Sequence, residues 1–259
     1  MTNLFKKYSF ILSIVLIQLG NFTCTKVSDI SAQNLKQDYL EKIVLIVDNL
    51  DTCKPGFGYF KDSESIAINS IILDGSFCLL LDPYHSNIKK VNLLTGEVKC
   101  SDSSVITSRP VSLITSEGLI YVLTYSTTSY IFNEDLKLIK EFDLPTNKKY
   151  FVGFEGEYII LFNFLYDEII TISKNGDIIE KKSGNFDFQR YSHGKAFEIV
   201  EKRNSSFLKT ETREFDLGRK FPHTWDYYDS FNVDFDDKKI VYFSSNPDSL
   251  VIYVKKIEM

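Results

Sequence analysis

The sequence has a single tryptophan among 259 residues, only four cysteines, and no run of Lys or Arg longer than a pair. Each shortage excludes something. Without a clustered basic face, and with a formal net charge of −5, the chain has no footprint for a phosphate backbone, so nucleic acid is not expected as a partner. No CxxC pair and no Cys/His ligand spacing occurs, which leaves a zinc site unsupported. No Gly-rich phosphate loop, HExxH or GxSxG occurs either. Helical periodicity is nearly absent after residue 50. What is abundant is Phe, 21 residues, and Tyr, 15 residues. Aromatic side chains fit a pleated, half-buried surface, so this enrichment favours strands. The length suits one large β domain or two small ones.

The first residues, "MTNLFKKYSFILSIVLIQLGNFTCTK", read differently from the rest. Lys6 and Lys7 precede an apolar run from Phe10 to Leu19. The run is too short to span a bilayer comfortably and suits the core of a signal peptide. A short membrane anchor or a buried helix is the alternative. Cys24 follows the run, and the stretch resembles a bacterial lipoprotein signal, in which such a cysteine becomes the lipidated first residue. Thr23 and Asn21 stand where those signals usually carry a small and an aliphatic residue, so plain cleavage nearby stays open. The expected organisation is a signal peptide over 1–23, a polar tether over 24–38 and a folded domain over 39–259. Cleavage removes two lysines and no acid, taking the net charge to −7. Of the remaining cysteines, Cys78 lies in the apolar "SFCLLLD" and is expected to pack as a small hydrophobe. Cys53 and Cys100 sit in loop-like context and could pair in an oxidising compartment. Three cysteines cannot form a complete disulfide framework.

A pattern of a turn pair followed by an apolar strand recurs through the chain. "DGSFCLLL" begins at Asp74, "EGLIYVL" at Glu117, "EGEYIIL" at Glu155, "HGKAFEIV" at His193 and "DDKKIVYF" at Asp236. Successive starts are 43, 38, 38 and 43 residues apart. A period near 40 with several strands per unit predicts propeller blades. Each unit divides into four strands. One precedes the turn pair, as in "PVSLITS", and three follow, as in "LIYVLTY", "YIFN" and "LKLIKEFDL". Thr95–Gly96 and Asn175–Gly176 are hairpin-turn signals. One four-stranded meander would leave both apolar faces wet, whereas stacking blades around an axis buries them.

The fold expected is therefore all-β, a β-propeller of four-stranded antiparallel blades. Five units are clear. Six blades are the alternative, if residues 39–64 form a degenerate one. The last unit ends at "LVIYVKKIEM", one strand short, and "EKIVLIVDNL" (41–50) has no unit of its own. That N-terminal strand is expected to complete the last blade and close the ring, removing open edges. The blades resemble those of bacterial secreted six-bladed propellers of the NHL/TolB-like kind, common as lipoproteins. The resemblance rests on "EGLIYVL…YIFNED" (117–135) and "IITISKNGD" (169–177), and covers roughly residues 65–259. Its enzymes often ring the central channel with acidic and Asn metal ligands. No motif here carries such ligands over position by position, and five clear units depart from the family's six.

Loops carry function more often than scaffolds do. In a meander, the loops after the second and fourth strands share one end of the ring. That end collects Tyr84, His85, Arg109, Tyr125, Tyr166, His223, Trp225, Tyr227 and Tyr228, and Arg190 joins them as a candidate binding residue. "GRKFPHTWDYYDS" (218–230) holds the only Trp. Aromatics beside Arg can anchor a protein or glycan. Phe221, Trp225 and Tyr228 could equally cover the end of the ring. The inner strands carry Asn69, Thr115, Arg190, His193, Asn232 and Asp234, a thin basis for acid–base chemistry. "DFDDKK" (234–239) lacks the glycine and terminal glutamate of a calcium loop. The reading favours a non-enzymatic binding or assembly module of the cell envelope. It would be secreted and lipid-anchored, touch the membrane only through the anchor, use no cofactor, and meet a protein or glycan through one loop face. A hydrolase or lactonase-like enzyme with a channel metal is the second reading, and a structural subunit of a surface complex the third.

Overall fold

A computed structural model describes residues 40–56, 58–59, 65–66, 70–144, 149–163, 168–174, 177–183, 190–192, 195–202, 205–217, 233–245 and 248–257. They belong to one compact unit, Asp38–Met259. The expectations for the signal peptide, the tether and Cys24 lie outside the described residues.

The strands in chain order begin with β1 (Leu40–Ile46), followed by a short ribbon of β2 (Gly58–Tyr59) and β3 (Ser65–Ile66). The first blade is β4 (Ser70–Asp74), β5 (Phe77–Asp82), β6 (Asn87–Asn92) and β7 (Val98–Cys100). The second is β8 (Pro110–Ser116), β9 (Leu119–Thr124), β10 (Thr128–Asn133) and β11 (Leu138–Asp143). The third is β12 (Lys149–Glu155), β13 (Tyr158–Asn163), β14 (Glu168–Ser173) and β15 (Ile178–Ser183). The fourth is β16 (Arg190–Ser192), β17 (Lys195–Lys202), β18 (Ser205–Thr210) and β19 (Glu214–Asp216). The fifth is β20 (Val233–Phe235), β21 (Lys239–Ser245), β22 (Ser249–Lys256) and, outermost, β1. Five four-stranded antiparallel sheets thus form the propeller. The described part of 39–64 builds no sixth blade: its first strand belongs to the fifth, paired with β22 from Leu40↔Lys255 to Ile46↔Ser249 without a register shift.

The ring order is visible in which inner strands touch. β4 lies against β8 and β20, and β12 lies against β8 and β16. The second strands of the first, second and fifth blades explain why the repeat there is apolar on both faces. Side chains alternate across a strand with period two. On β5, Cys78 and Leu80 enter the core shared with the fifth blade, while Leu79 and Leu81 enter the core shared with the second. On β9, Ile120 and Val122 point back to the first blade, and Tyr121 and Leu123 forward to the third. On β21, Ile240 and Tyr242 meet the fourth blade, and Val241 and Phe243 the first. The outer strands bury one face at most: in β11 only Phe142 is buried, and β15 is exposed throughout.

Turn chemistry fixes the register. Glu117 and Gly118 both have positive φ, 53° and 75°. They join Ser116 to its partner Leu119 as a two-residue hairpin of the kind that matches strand twist. Lysines stitch neighbouring blades at the same end of the ring. Lys90 Nζ donates to the Glu134 carbonyl at 3.1 Å, Lys174 pairs with Glu117 at 2.8 Å, and Lys239 Nζ donates to the Gly75 carbonyl. Between the first and fifth blades, the buried carboxylate of Asp234 on β20 accepts the Leu73 N–H at 2.7 Å.

Candidate functional site

The end of the ring expected to carry function holds two different arrangements. The first is inside the protein. Asp82 ends β5, and the turn that follows leads into β6. Its Oδ1 accepts the N–H groups of Tyr84 at 2.9 Å and His85 at 3.1 Å, closing the turn. Its Oδ2 accepts the Gly56 N–H at 2.9 Å and His85 Nδ1 at 3.0 Å, with Lys89 Nζ at 3.2 Å. Lys89 and Asp82 are both fully buried. Period two places Lys89 on the face of β6 that Val91 also occupies, pointing into the protein rather than at water. There its ammonium donates to Asn87 Oδ1 at 2.9 Å and to the Thr52 carbonyl. Asn87 Nδ2 donates to the same carbonyl at 2.8 Å. His85 Nε2 faces the Asn49 carbonyl at 3.3 Å.

The partners from outside the blade all lie in residues 47–56, the strap that runs from β1 to the first blade. The strap is also joined covalently. Cys53 and Cys100 form a disulfide with a Cα–Cα distance of 5.3 Å, a pairing left open by the sequence. Cys100 stands directly opposite Lys89 in the β6–β7 ladder. The strap supports its own shape as well. Asp48 accepts the Leu50 N–H at 3.0 Å and Lys54 Nζ at 3.1 Å, and the Asp48 N–H donates to the Pro55 carbonyl at 3.0 Å.

Burial pushes the Asp82 carboxyl up, but the His85 hydrogen bond, the Lys89 charge and the backbone N–H groups outweigh it. The net shift is below the ordinary carboxylate value. Burial lowers Lys89 from the ordinary lysine value, and Asp82 opposes that shift. This arrangement is a clasp: a buried charge pair whose oxygens and protons meet donors and acceptors of the strap and the turn. The free Cys78 is buried, and burial pushes its thiol well up, so it is inert as a nucleophile.

Gly56 is required here by close approach. A Cβ at this position would lie 2.5 Å from Tyr84 Cδ1 and 2.8 Å from His85 Cε1 and Nδ1. Gly56→Ala is expected to cost about 1–3 kcal/mol of stability by overpacking, read as a lower urea midpoint. An unchanged midpoint would show that the two rings move aside freely.

The second arrangement is partly exposed. Arg109, just before β8, places its guanidinium over the Tyr125 ring at 5.1 Å. The Tyr125 N–H donates to the Arg109 carbonyl at 2.9 Å. Both residues are half-buried. Tyr84, in the β5–β6 turn at the same end, is 38% exposed and sets its ring edge-on to His85 at 5.1 Å. Of the sequence candidates, Arg109 and Tyr125 are therefore brought together and Tyr84 is presented to solvent. His85 lies at that end but is buried in the clasp. Tyr166, His223, Trp225, Tyr227 and Tyr228 lie outside the described residues, as do Asn69, His193 and Asn232; Arg190 is placed only as the first residue of β16. Among the described residues no three His, Cys, Asp or Glu side chains converge as metal ligands would. Sequence reasoning missed Asp82, Asn87, Lys89 and Gly56. The available signal was a lysine on the inward phase of "NIKKVN", shortly after the turn that Asp82 opens.

No family model matches the sequence, and no curated protein matches it. Among solved structures, the chain is similar to virginiamycin B lyase from Staphylococcus aureus, with 12% identity, 85% of this chain and 99% of that one covered, and a TM-score of 0.44. It is similar to glutaminyl cyclase from Myxococcus xanthus, with 5% identity, 73% and 93% covered, and a TM-score of 0.47. BamB from Moraxella catarrhalis shows 10% identity, 76% and 62% covered, and a TM-score of 0.36.

Proposed function

We propose that this protein is a non-enzymatic binding or assembly module of the bacterial cell envelope. It is secreted, held to the membrane by a lipid on Cys24, and presents one loop end of its ring to a protein or glycan. The observation that carries this reading is the Arg109–Tyr125 stack at the same end as the exposed Tyr84. A cation held over a half-buried aromatic ring, beside an exposed tyrosine, is the kind of surface that anchors a partner. Asp82 and Lys89, a charged pair at that end, are engaged inside the clasp.

The test compares wild type with Arg109→Ala/Tyr125→Ala on a glycan array and in quantitative crosslinking to isolated envelope components. The expected result is a bound component whose affinity falls at least tenfold in the variant, the order of loss given by an anchor worth about 1.4 kcal/mol or more. Equal retention by both proteins would overturn the assignment of this surface. Incorporation of labelled lipid into wild type but not Cys24→Ala tests the anchor separately.

A further inference from the structure

We propose that residues 47–56 are a redox-sensitive latch on the ring. When the Cys53–Cys100 disulfide is reduced, the strap lifts from the first blade, the Asp82–Lys89 pair is uncovered, and the closing strand β1 loosens from β22, while the other blades stay folded.

The strap is poised for this. It joins the one strand that the fifth blade borrows from the far end of the chain to the side of the first blade. From Val47 to Lys54 no residue is buried; only Pro55 and Gly56 are. Leu50, its apolar member near the middle, is 95% exposed. Apolar burial therefore contributes little to holding the strap down. What holds it is a set of polar contacts through its backbone, with His85, Asn87, Lys89, Asp82 and the Asp248 carbonyl, the buried Pro55 and Gly56 at its end, and one covalent bond. Segments with few buried apolar contacts and exposed backbone open most readily. The polar partners can be replaced by water once the strap moves. The disulfide cannot, so it decides whether the strap moves.

Both cysteines are half-buried rather than buried, and the reductant to which the latch responds is a small dithiol. A thiolate of the dithiol attacks one Sγ and forms a mixed disulfide. Its second thiol then displaces the remaining protein sulfur. The protein disulfide gains two electrons and two protons and becomes two thiols, and the dithiol becomes a cyclic disulfide. The freed strap is continuous with β1, whose inward contacts are Leu45 and the partly buried Ile43. A loosened β1 leaves the edge of β22 open, a seven-residue ladder without a partner.

The test uses the full chain in oxidised form, after reduction with dithiothreitol, and as Cys53→Ser/Cys100→Ser without reductant. Amide hydrogen exchange is followed by mass spectrometry, and acetylation of Lys89 by a lysine-reactive ester is followed on the same samples. Lys89 is fully buried in the closed form. Expected on reduction are at least tenfold faster exchange over 47–56, faster exchange over 40–46, and at least tenfold faster acetylation of Lys89, with exchange over 110–143 unchanged. The double variant should match the reduced protein. If the thiols are shown to be free and Lys89 and 47–56 stay as protected as before, the latch does not exist. If protection over 110–143 collapses together with the strap, the disulfide is a staple on the whole fold, which overturns the proposal equally.

Discussion

Asp82→Ala is expected to lower the unfolding free energy by about 3–5 kcal/mol, the usual consequence of removing one member of a buried ion pair. Lys89 would remain fully buried beside Asn87 and the Thr52 carbonyl, with only the weaker field of Asp51 in place of its paired carboxylate. The N–H groups of Gly56, Tyr84 and His85 would lose their acceptor at the same time. Urea unfolding measures the loss. Adding Lys89→Met to Asp82→Ala should recover a good part of it, because a buried pair replaced by apolar groups of similar size is often near neutral. If the single variant loses less than about 1 kcal/mol, or the second substitution makes matters worse, the pair is not the centre of the clasp. The pH dependence has a definite sign. The folded value of Asp82 is depressed. Its stabilisation is complete above the ordinary carboxylate value of 3.8 and is lost as the pH falls through the folded value. Wild type should lose stability on that acid branch, and Asp82→Asn should show a flatter one.

Leu80→Ala is expected to cost about 2–5 kcal/mol, and Ile139→Ala no more than about 0.5 kcal/mol. Both are aliphatic residues of propeller strands, so strand propensity alone would treat them alike. Leu80 lies on the second strand of the first blade, has no exposed surface, and fills the core between the first and fifth blades. Ile139 lies on the outer strand of the second blade and is 55% exposed. Thermal and urea unfolding of the two variants side by side decide the matter. Comparable losses would mean that the inter-blade cores do not dominate stability.

The repeat was legible because the blades solve one packing problem five times. A strand sandwiched between two neighbours must be apolar on both phases, so "FCLLLD" and "LIYVLT" resemble each other as bare sequence. The short last unit and the spare strand at 41–50 likewise implied closure, since an unpaired edge has to be covered. Residue pattern was enough for these conclusions because they rest on local period and on the count of strands.

The clasp was not legible in the same way. Asp82, Lys89, Asn87 and Gly56 gain their roles only when residues 26 to 37 positions apart come within hydrogen-bonding distance. A lysine in a strand is ordinarily solvated, and only the phase of β6 against β5 and the strap over it makes this one buried. Cys53 and Cys100 were candidates from their setting, but a disulfide needs two backbones at the right separation, which the closed ring provides. The loop end too was identifiable by topology, while its division into a buried His85, a half-buried Arg109 and Tyr125, and an exposed Tyr84 was not. By itself the sequence determined the strands, the repeat and the closure, because each follows from short-range alternation. The tertiary structure alone decided which polar side chains are buried in the clasp and which lie at the partly exposed loop end, because that depends on distances between segments far apart in the chain.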